Sequence, residues 1–208
     1  MSRPIRVLIL LIGFVAFDAT QPASAADPRY PDWPCAQAKV PEISLAAVWA
    51  GPSLDDVAGK WKDNAEISAL VARLSARRTP IEDAEAQIAK FLSTAGTNKS
   101  EAGKKLFAGV FETLNAQRSS VMNGLERTTR KQREAAGKIR ADTAALHDLQ
   151  DAATPDQAKI DALANQVGWQ THIFEDRSKV IRFVCDVPNA IDQRIFALGR
   201  AIQQGMEE

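Results

Sequence analysis

Two long stretches of heptad-spaced residues constrain the fold of this chain more than any other feature. In the first stretch, alternating steps of four and three residues visit Phe107, Phe111, Leu114, Arg118, Val121, Leu125, Thr128, Gln132, Ala135, Ile139, Asp142, Leu146 and Leu149. In the second, the same steps visit Ile160, Leu163, Val167, Gln170, Phe174, Arg177, Ile181, Val184, Pro188, Ile191, Ile195, Leu198 and Ile202. Most of these residues are apolar, and this spacing is typical of helices that pack against one another along their length.

A turn signal separates the two stretches. Thr154, Pro155 and Gln157 form a capping-box pattern, with proline at the first helical position. A short connection returns the chain beside itself, so the sequence predicts an antiparallel helical hairpin with long helices at 99–152 and 155–206. Gly124 is a candidate break, through which we expect the first helix to continue. Pro188 lacks a backbone N–H, so we expect a kink in the second helix.

Two shorter helices precede the hairpin. Ser53 and Asp56 are spaced as a cap and an acid three residues later, and apolar residues follow at helical spacing, so we expect helix A at 54–77. Thr79, Pro80 and Glu82 form a second capping box, which predicts helix B at 80–94.

The segment before helix A is rich in proline and aromatic residues. Its prolines are Pro28, Pro31, Pro34, Pro41 and Pro52. Prolines at this density forbid a continuous helix, but the aromatic content is too high for a solvated linker. We therefore interpret 26–52 as an ordered strap across the helices; a disordered tail is the alternative. The predicted fold class is all-α, a single domain at 26–208 with a helical-bundle base built on a coiled-coil-like hairpin.

The N-terminus has the pattern of a secretory signal peptide. Arg3 and Arg6 precede an apolar run at 7–17, and small residues lead up to a predicted cleavage site after Ala25. The run is too short to span a bilayer as a helix, and no later segment approaches the required length. We expect export to the periplasm or secretion, where Cys35 and Cys185 would form a disulfide.

The predicted turn also sets a register for the hairpin. With the turn centred on Ala153, Cys185 lies opposite Val121, so the disulfide holds the strap about halfway along the hairpin. Below this level we expect the packed base; beyond it, from about 125 to 181, we expect a more polar projecting arm. The same register predicts three ion pairs across the arm, namely Glu134 with His172, Lys131 with Glu175 and Arg130 with Asp176.

Composition and motifs argue against several classes of function. Lysine and arginine number 26, as do aspartate and glutamate, so the formal charge of zero disfavours a dedicated nucleic-acid-binding protein. The zinc, haem, di-iron, nucleophile-elbow and phosphate-loop motifs do not occur in the sequence. The two histidines, His147 and His172, are not expected to share a site. We therefore assign no catalytic residue, no metal ligand and no cofactor.

The arm carries the candidate partner-binding residues. Its middle section is locally basic, whereas its tip is acidic, which is typical of a solvated helix face or of a docking surface for an acidic partner. Trp169 lies one step off the packing positions and is a candidate exposed anchor. The candidate binding residues are Arg127, Arg130, Lys131, Arg133, Lys138, Arg140 and Trp169.

These features favour an exported, non-catalytic interaction or accessory protein. We expect the arm to contact an exported protein or an anionic envelope component, and the hairpin arm also offers a surface for oligomerisation. A bundle that binds a small molecule or a metal is the alternative. A hydrolase acting on envelope polymers is the least favoured function, because the neighbouring Asp55 and Asp56 point in different directions on a helix.

Overall fold

The heptad-spaced stretches form three helices that make up most of the fold. The computed structural model describes residues 27–207, so the predicted signal peptide at 1–25 lies outside the described residues. The helices are α1 (Leu45–Val48), α2 (Ala65–Ser75), α3 (Ile81–Thr94), α4 (Lys99–Gln150), α5 (Gln157–Val184) and α6 (Val187–Glu207), with short 3-10 turns at Lys60–Asp63 and Gly96–Asn98. No strand occurs between residues 27 and 207, and the predicted all-α helical bundle is confirmed.

The helix α4 is the backbone of the whole structure. It contains 52 residues and is therefore about 78 Å long at the standard rise. It continues through Gly124, as expected, and ends at Gln150, two residues before the predicted end. The other long helices pack along it in turn, α6 in the base and α5 in the arm.

The second long helix is divided, and the prediction of one helix kinked near Pro188 is wrong. α5 ends at Val184 and α6 begins at Val187, with Cys185 and Asp186 between them. Pro188 has no N–H to donate to the carbonyl of Val184, so an uninterrupted helix would lose that bond. Proline is tolerated in the first turn of a helix, and Pro188 occupies that place in α6.

The prediction of helix A from residue 54 is also wrong. Gly59 has a φ of 71°, a left-handed conformation that interrupts any helix, and a 3-10 turn at Lys60–Asp63 follows it. α2 starts only after Asn64, whose side-chain oxygen accepts a 3.0 Å hydrogen bond from the N–H of Ile67. The cap of α2 is therefore Asn64, whereas Ser53 bonds locally to Asp55 in a turn.

The base has one continuous apolar core between α2, α3, α4 and α6. Its fully buried side chains include Leu74, Ile88, Phe107, Leu114 and Ile195. The strap contributes Trp49, whose ring stacks on Phe107 with 4.2 Å between ring centroids. At Gly199 a Cβ would lie 2.7 Å from the carbonyl oxygen of Val48, so glycine permits the close approach of the strap to α6.

The strap is fastened at the junction between base and arm. The Cys35–Cys185 disulfide predicted from the sequence is present, with 5.5 Å between the two Cα atoms. The amide of Gln37 donates to the carbonyl of Cys185 at 2.5 Å, and the indole of Trp33 donates to the carbonyl of Gln37 at 2.7 Å. Within residues 27–207, no helix is both long enough and apolar enough to cross a membrane.

A buried arginine joins α4, α6 and the strap at the same level. The side chain of Arg118 is only 3% exposed and donates to Asp192 at 2.7 Å and to the carbonyl of Pro41 at 3.3 Å. A buried cation without a partner is costly, so this contact holds α6 and the strap in register with α4.

We expect Asp192→Asn to lower the free energy of unfolding by about 2–3 kcal/mol, because it leaves the buried Arg118 guanidinium without a counter-charge. Urea unfolding followed by circular dichroism measures this change. Asp56→Asn is the matched control: it removes the negative charge of an ion pair of similar length, 2.6 Å to Lys104, but Asp56 is 63% exposed, and we expect a loss below about 1 kcal/mol. Equal losses in the two variants would show that burial of Arg118 has no special role.

We expect the double variant Cys35→Ser with Cys185→Ser to lose about 4–5 kcal/mol of stability, because the disulfide closes a loop of 150 residues in the unfolded chain. Urea unfolding under non-reducing conditions gives the value. Hydrogen exchange should show faster exchange of the strap amides before any change in α4. Unchanged exchange in the strap would contradict a fastening role.

Candidate functional site

The arm consists of two parts: α5, and the section of α4 that lies beyond the level of the disulfide. Its register is set by Gln132, a residue 7% exposed whose amide nitrogen donates to the carbonyl of Phe174 and to the hydroxyl of Ser178, both at 3.0 Å. Nearer the tip, Gln166 donates to Asp142 at 2.9 Å. Gln132 faces Phe174 as the predicted turn at Ala153 requires, so the predicted register is confirmed.

The predicted ion pair of Arg130 with Asp176 is wrong. Arg130 bonds instead to Asp32 of the strap at 2.8 Å. Asp176 accepts a hydrogen bond from Lys179 at 3.0 Å and lies 3.4 Å from the ring nitrogen of His172, its neighbours on the same helix. Residues three or four apart on one helix are closer than most residues facing each other across a hairpin, and this favours the local partners. Neither of the other two predicted pairs occurs among the described ion pairs.

The strap covers one flank of the arm and neutralises part of its positive charge. Asp32 bridges both Arg130 and Arg133, at 2.8 and 2.5 Å, and Arg133 also donates to the carbonyl of Pro31. Nearby, Lys39 of the strap pairs with Glu126 at 2.5 Å. The structure therefore unites two of the six candidate cations on a carboxylate that lies about 100 residues away in sequence.

The other four candidate cations are distributed differently. Lys138 pairs with Asp142 of the same helix at 2.8 Å. Arg127, Lys131 and Arg140 are exposed, and no carboxylate within residues 27–207 forms an ion pair with them. Three of the six cations thus pair with carboxylates of the described chain, and three do not.

The contact at Asp32 changes the pKa of its carboxyl group. The hydrogen bond from Arg130 holds the pKa of Asp32 below its ordinary value, partial desolvation opposes this shift, and the bond from Arg133 adds to it. A carboxylate with a lower pKa in the folded state stabilises that state above the unfolded pKa of about 3.9. This contribution is lost as the pH falls through the lower, folded pKa.

On the opposite flank, α4 and α5 leave an open apolar groove, here called the arm groove. The lower cavity is the one nearer the base; its volume is ≈ 320 Å³, and it is lined by Val121, Gly124, Leu125, Val180, Ile181 and Val184. The upper cavity is the one nearer the arm tip; its volume is ≈ 210 Å³, and it is lined by Ala135, Ile139, Gln170, Ile173 and Phe174. The side chain of Arg177 lines both cavities and so marks the centre of the groove.

Helix geometry explains why the strap and the groove lie on different flanks. Successive residues of a helix are about 100° apart. Leu125 faces α5. On one side of Leu125 lie Glu126 and Arg130, which contact the strap, and on the other side lie Val121 and Gly124, which line the groove. Gly124 opens the groove, because a Cβ there would have only the guanidinium of Arg127 within 4 Å, at 3.9 Å.

Exposed hydrophobic side chains follow the same side of α5. Trp169 is 67% exposed, Val180 is 59% exposed and Phe183 is 77% exposed. The exposure predicted for Trp169 is confirmed. Val180 and Phe183 were not among the predicted site residues, because the heptad positions assigned from the sequence are those that face α4. A second heptad stripe, through Trp169, Ile173, Asp176, Val180 and Phe183, was the available signal.

The arm groove can bury apolar side chains of a partner and can pair a carboxylate with Arg177. Among residues 27–207, no group of three or more histidine, cysteine, aspartate or glutamate side chains could hold a metal ion. Comparison with protein-family models, curated proteins and solved structures finds no match to this chain. The interpretation of the groove therefore depends on its own geometry and chemistry.

We expect acidification through the folded-state pKa of Asp32, which lies below its ordinary value of about 3.9, to detach the strap from Arg130 and Arg133 as Asp32 becomes protonated, while the disulfide keeps the strap attached at Cys185. NMR signals of the two guanidinium groups, followed against pH, should move together in the native chain. In Asp32→Asn they should already have their shifted positions at neutral pH. A pH transition of the same size in that variant would contradict the assignment to Asp32.

Proposed function

We propose that this chain is an exported, non-catalytic accessory protein that contacts another protein through the arm groove. The compartment is the periplasm or another oxidising space outside the cytoplasm. The signal-peptide pattern and the Cys35–Cys185 disulfide support this location, because structural disulfides persist mainly in oxidising compartments.

The carrying observation is the exposure of three large hydrophobic side chains beside an open apolar groove. Exposed apolar patches of this kind mark interaction sites. Burying one Val or Phe side chain is worth about 1.5–3 kcal/mol, whereas an exposed ion pair is worth below about 1 kcal/mol. Contacts of Trp169, Val180 and Phe183 would therefore dominate the affinity for a partner.

The larger energy of apolar burial, compared with exposed ion pairs, favours a protein over an anionic envelope component as the partner. Arg130, Arg133 and Lys138 already pair with carboxylates of the chain itself. The remaining cations, Arg127, Lys131 and Arg140, are fewer than the sequence alone indicates. Charge would then steer the encounter and contribute little to affinity.

The alternatives receive less support from the structure. A ligand-binding bundle needs space between its helices, but the base interior is filled by side chains such as Phe107, Leu114 and Ile195. A hydrolase needs paired acids with a suitable separation, and Asp55 and Asp56 lie in an exposed turn before α2.

A photo-crosslinking residue placed at Val180 tests the proposal in the native compartment. We expect an adduct with a protein partner that persists at high salt, because the contact is apolar. The matched control is Arg182, which is also exposed but points about 160° away from Val180 on the same helix. Equal adduct yields at the two positions, or none at either, would refute the proposal, and loss at high salt would support an anionic partner instead.

A further inference from the structure

The exposed stripe on α5 is symmetric about its own centre. Outward from the adjacent pair Asp176 and Arg177, one large apolar residue follows on each side, Ile173 and Val180. Beyond these lie the two exposed aromatic residues, Trp169 and Phe183. Such an arrangement is complementary to itself when a second identical helix runs in the opposite direction.

We infer that the occupant of the arm groove is a second copy of this chain, docked with its α5 antiparallel to the first around a twofold axis near Arg177. This inference rests on the proposed function, because it names the occupant of the same groove. In a twofold interface every contact between two residues occurs twice. The stripe meets this requirement at its centre: Ile173 lies beside Val180 of the second copy, while the aromatic residues Trp169 and Phe183 lie at its two ends.

The cavities of the groove follow the same symmetry. Arg177 lines both cavities, so a twofold axis at this level places the lower cavity of one copy level with the upper cavity of the other. Trp169 of the second copy is then level with Val184 and reaches the lower cavity, where a Cβ at Gly124 would meet only the guanidinium of Arg127 within 4 Å. Phe183 of the second copy is level with Gln170 and reaches the upper cavity. Each exposed aromatic side chain therefore has an apolar recess opposite it.

The charges at the centre also match only in the antiparallel arrangement. Asp176 of one copy lies beside Arg177 of the other, and this contact is made twice across the axis. Arg177 has no ion-pair partner among residues 27–207, and the carboxylate of Asp176 is 53% exposed and so remains accessible. A parallel pair would instead align the acidic arm tips, with Asp148, Asp151 and Asp156 of both copies side by side.

Sedimentation equilibrium of the exported chain, from low micromolar to several hundred micromolar, tests the inference. We expect a monomer–dimer equilibrium that Gly124→Leu weakens by about 30-fold or more, because its side chain fills the recess for Trp169 in both copies. Gly168→Leu is the matched control: a Cβ there meets nothing within 4 Å, and the residue lies away from the groove. Both substitutions replace a helical glycine and should preserve the helix content measured by circular dichroism.

A charge exchange tests the antiparallel pairing itself. We expect Arg177→Asp to weaken the dimer by about 10-fold or more, because it places acids opposite Asp176 at both central contacts. Adding Asp176→Arg to that variant should restore the dimer, because the two charges then exchange places. A double variant that remains as weak as Arg177→Asp would overturn the antiparallel arrangement.

Two outcomes separate this inference from the proposed function. A chain that stays monomeric over the whole concentration range, but whose Val180 crosslinks to a different protein, would overturn the second copy as occupant and leave the groove a binding site. A chain that stays monomeric and forms no adduct from Val180 would overturn both. A dimer that Gly124→Leu and Arg177→Asp leave unchanged would place its interface elsewhere and would also overturn the inference.

Discussion

The structure depends on covering the apolar face of a single helix, α4, that is longer than the base. In the base, α2, α3 and α6 cover it, and Trp49 of the strap packs on Phe107. In the arm, α5 covers one line of contacts centred on residues such as Leu125 and Gln132. A hairpin of two helices buries fewer apolar side chains than a bundle, so apolar surface stays exposed in the arm.

The strap determines which flank of the arm stays open. It is held by the disulfide at Cys185, by Arg118 at the carbonyl of Pro41 and by the pairing of Asp32 with Arg130 and Arg133. These contacts occupy the flank that contains Glu126. The opposite flank, with Gly124 and Val180, is left as the arm groove. The strap thus leaves the arm with one face whose charge is partly neutralised and one uncovered apolar face.

This asymmetry bears directly on function. A basic helix surface by itself indicates either a solvated face or a docking site for acidic partners. In this chain, part of the basic surface pairs internally, while exposed Trp169, Val180 and Phe183 lie beside recesses of matching character. The exposed surface beside the arm groove is therefore mainly apolar, with Arg177 at the centre of the groove. The arrangement of the stripe around that residue is the basis on which we propose a second copy of the chain as the occupant.

The sequence by itself determined the helical class, the hairpin, its register and the disulfide. Heptad spacing and the turn residues Thr154 and Pro155 are local signals, although the predicted capping box is wrong because Asp156 caps α5, which begins at Gln157. The only two cysteines of a chain predicted to be exported leave one internal pairing. Only the tertiary structure decided the start of α2, the break at Cys185 and Asp186, and the pairing of Asp32 with Arg130. The strap packs on the arm through residues about 100 positions away, and no local periodicity encodes which charges then meet. The arm groove likewise exists only because one flank of the arm is covered by the strap and the other is not.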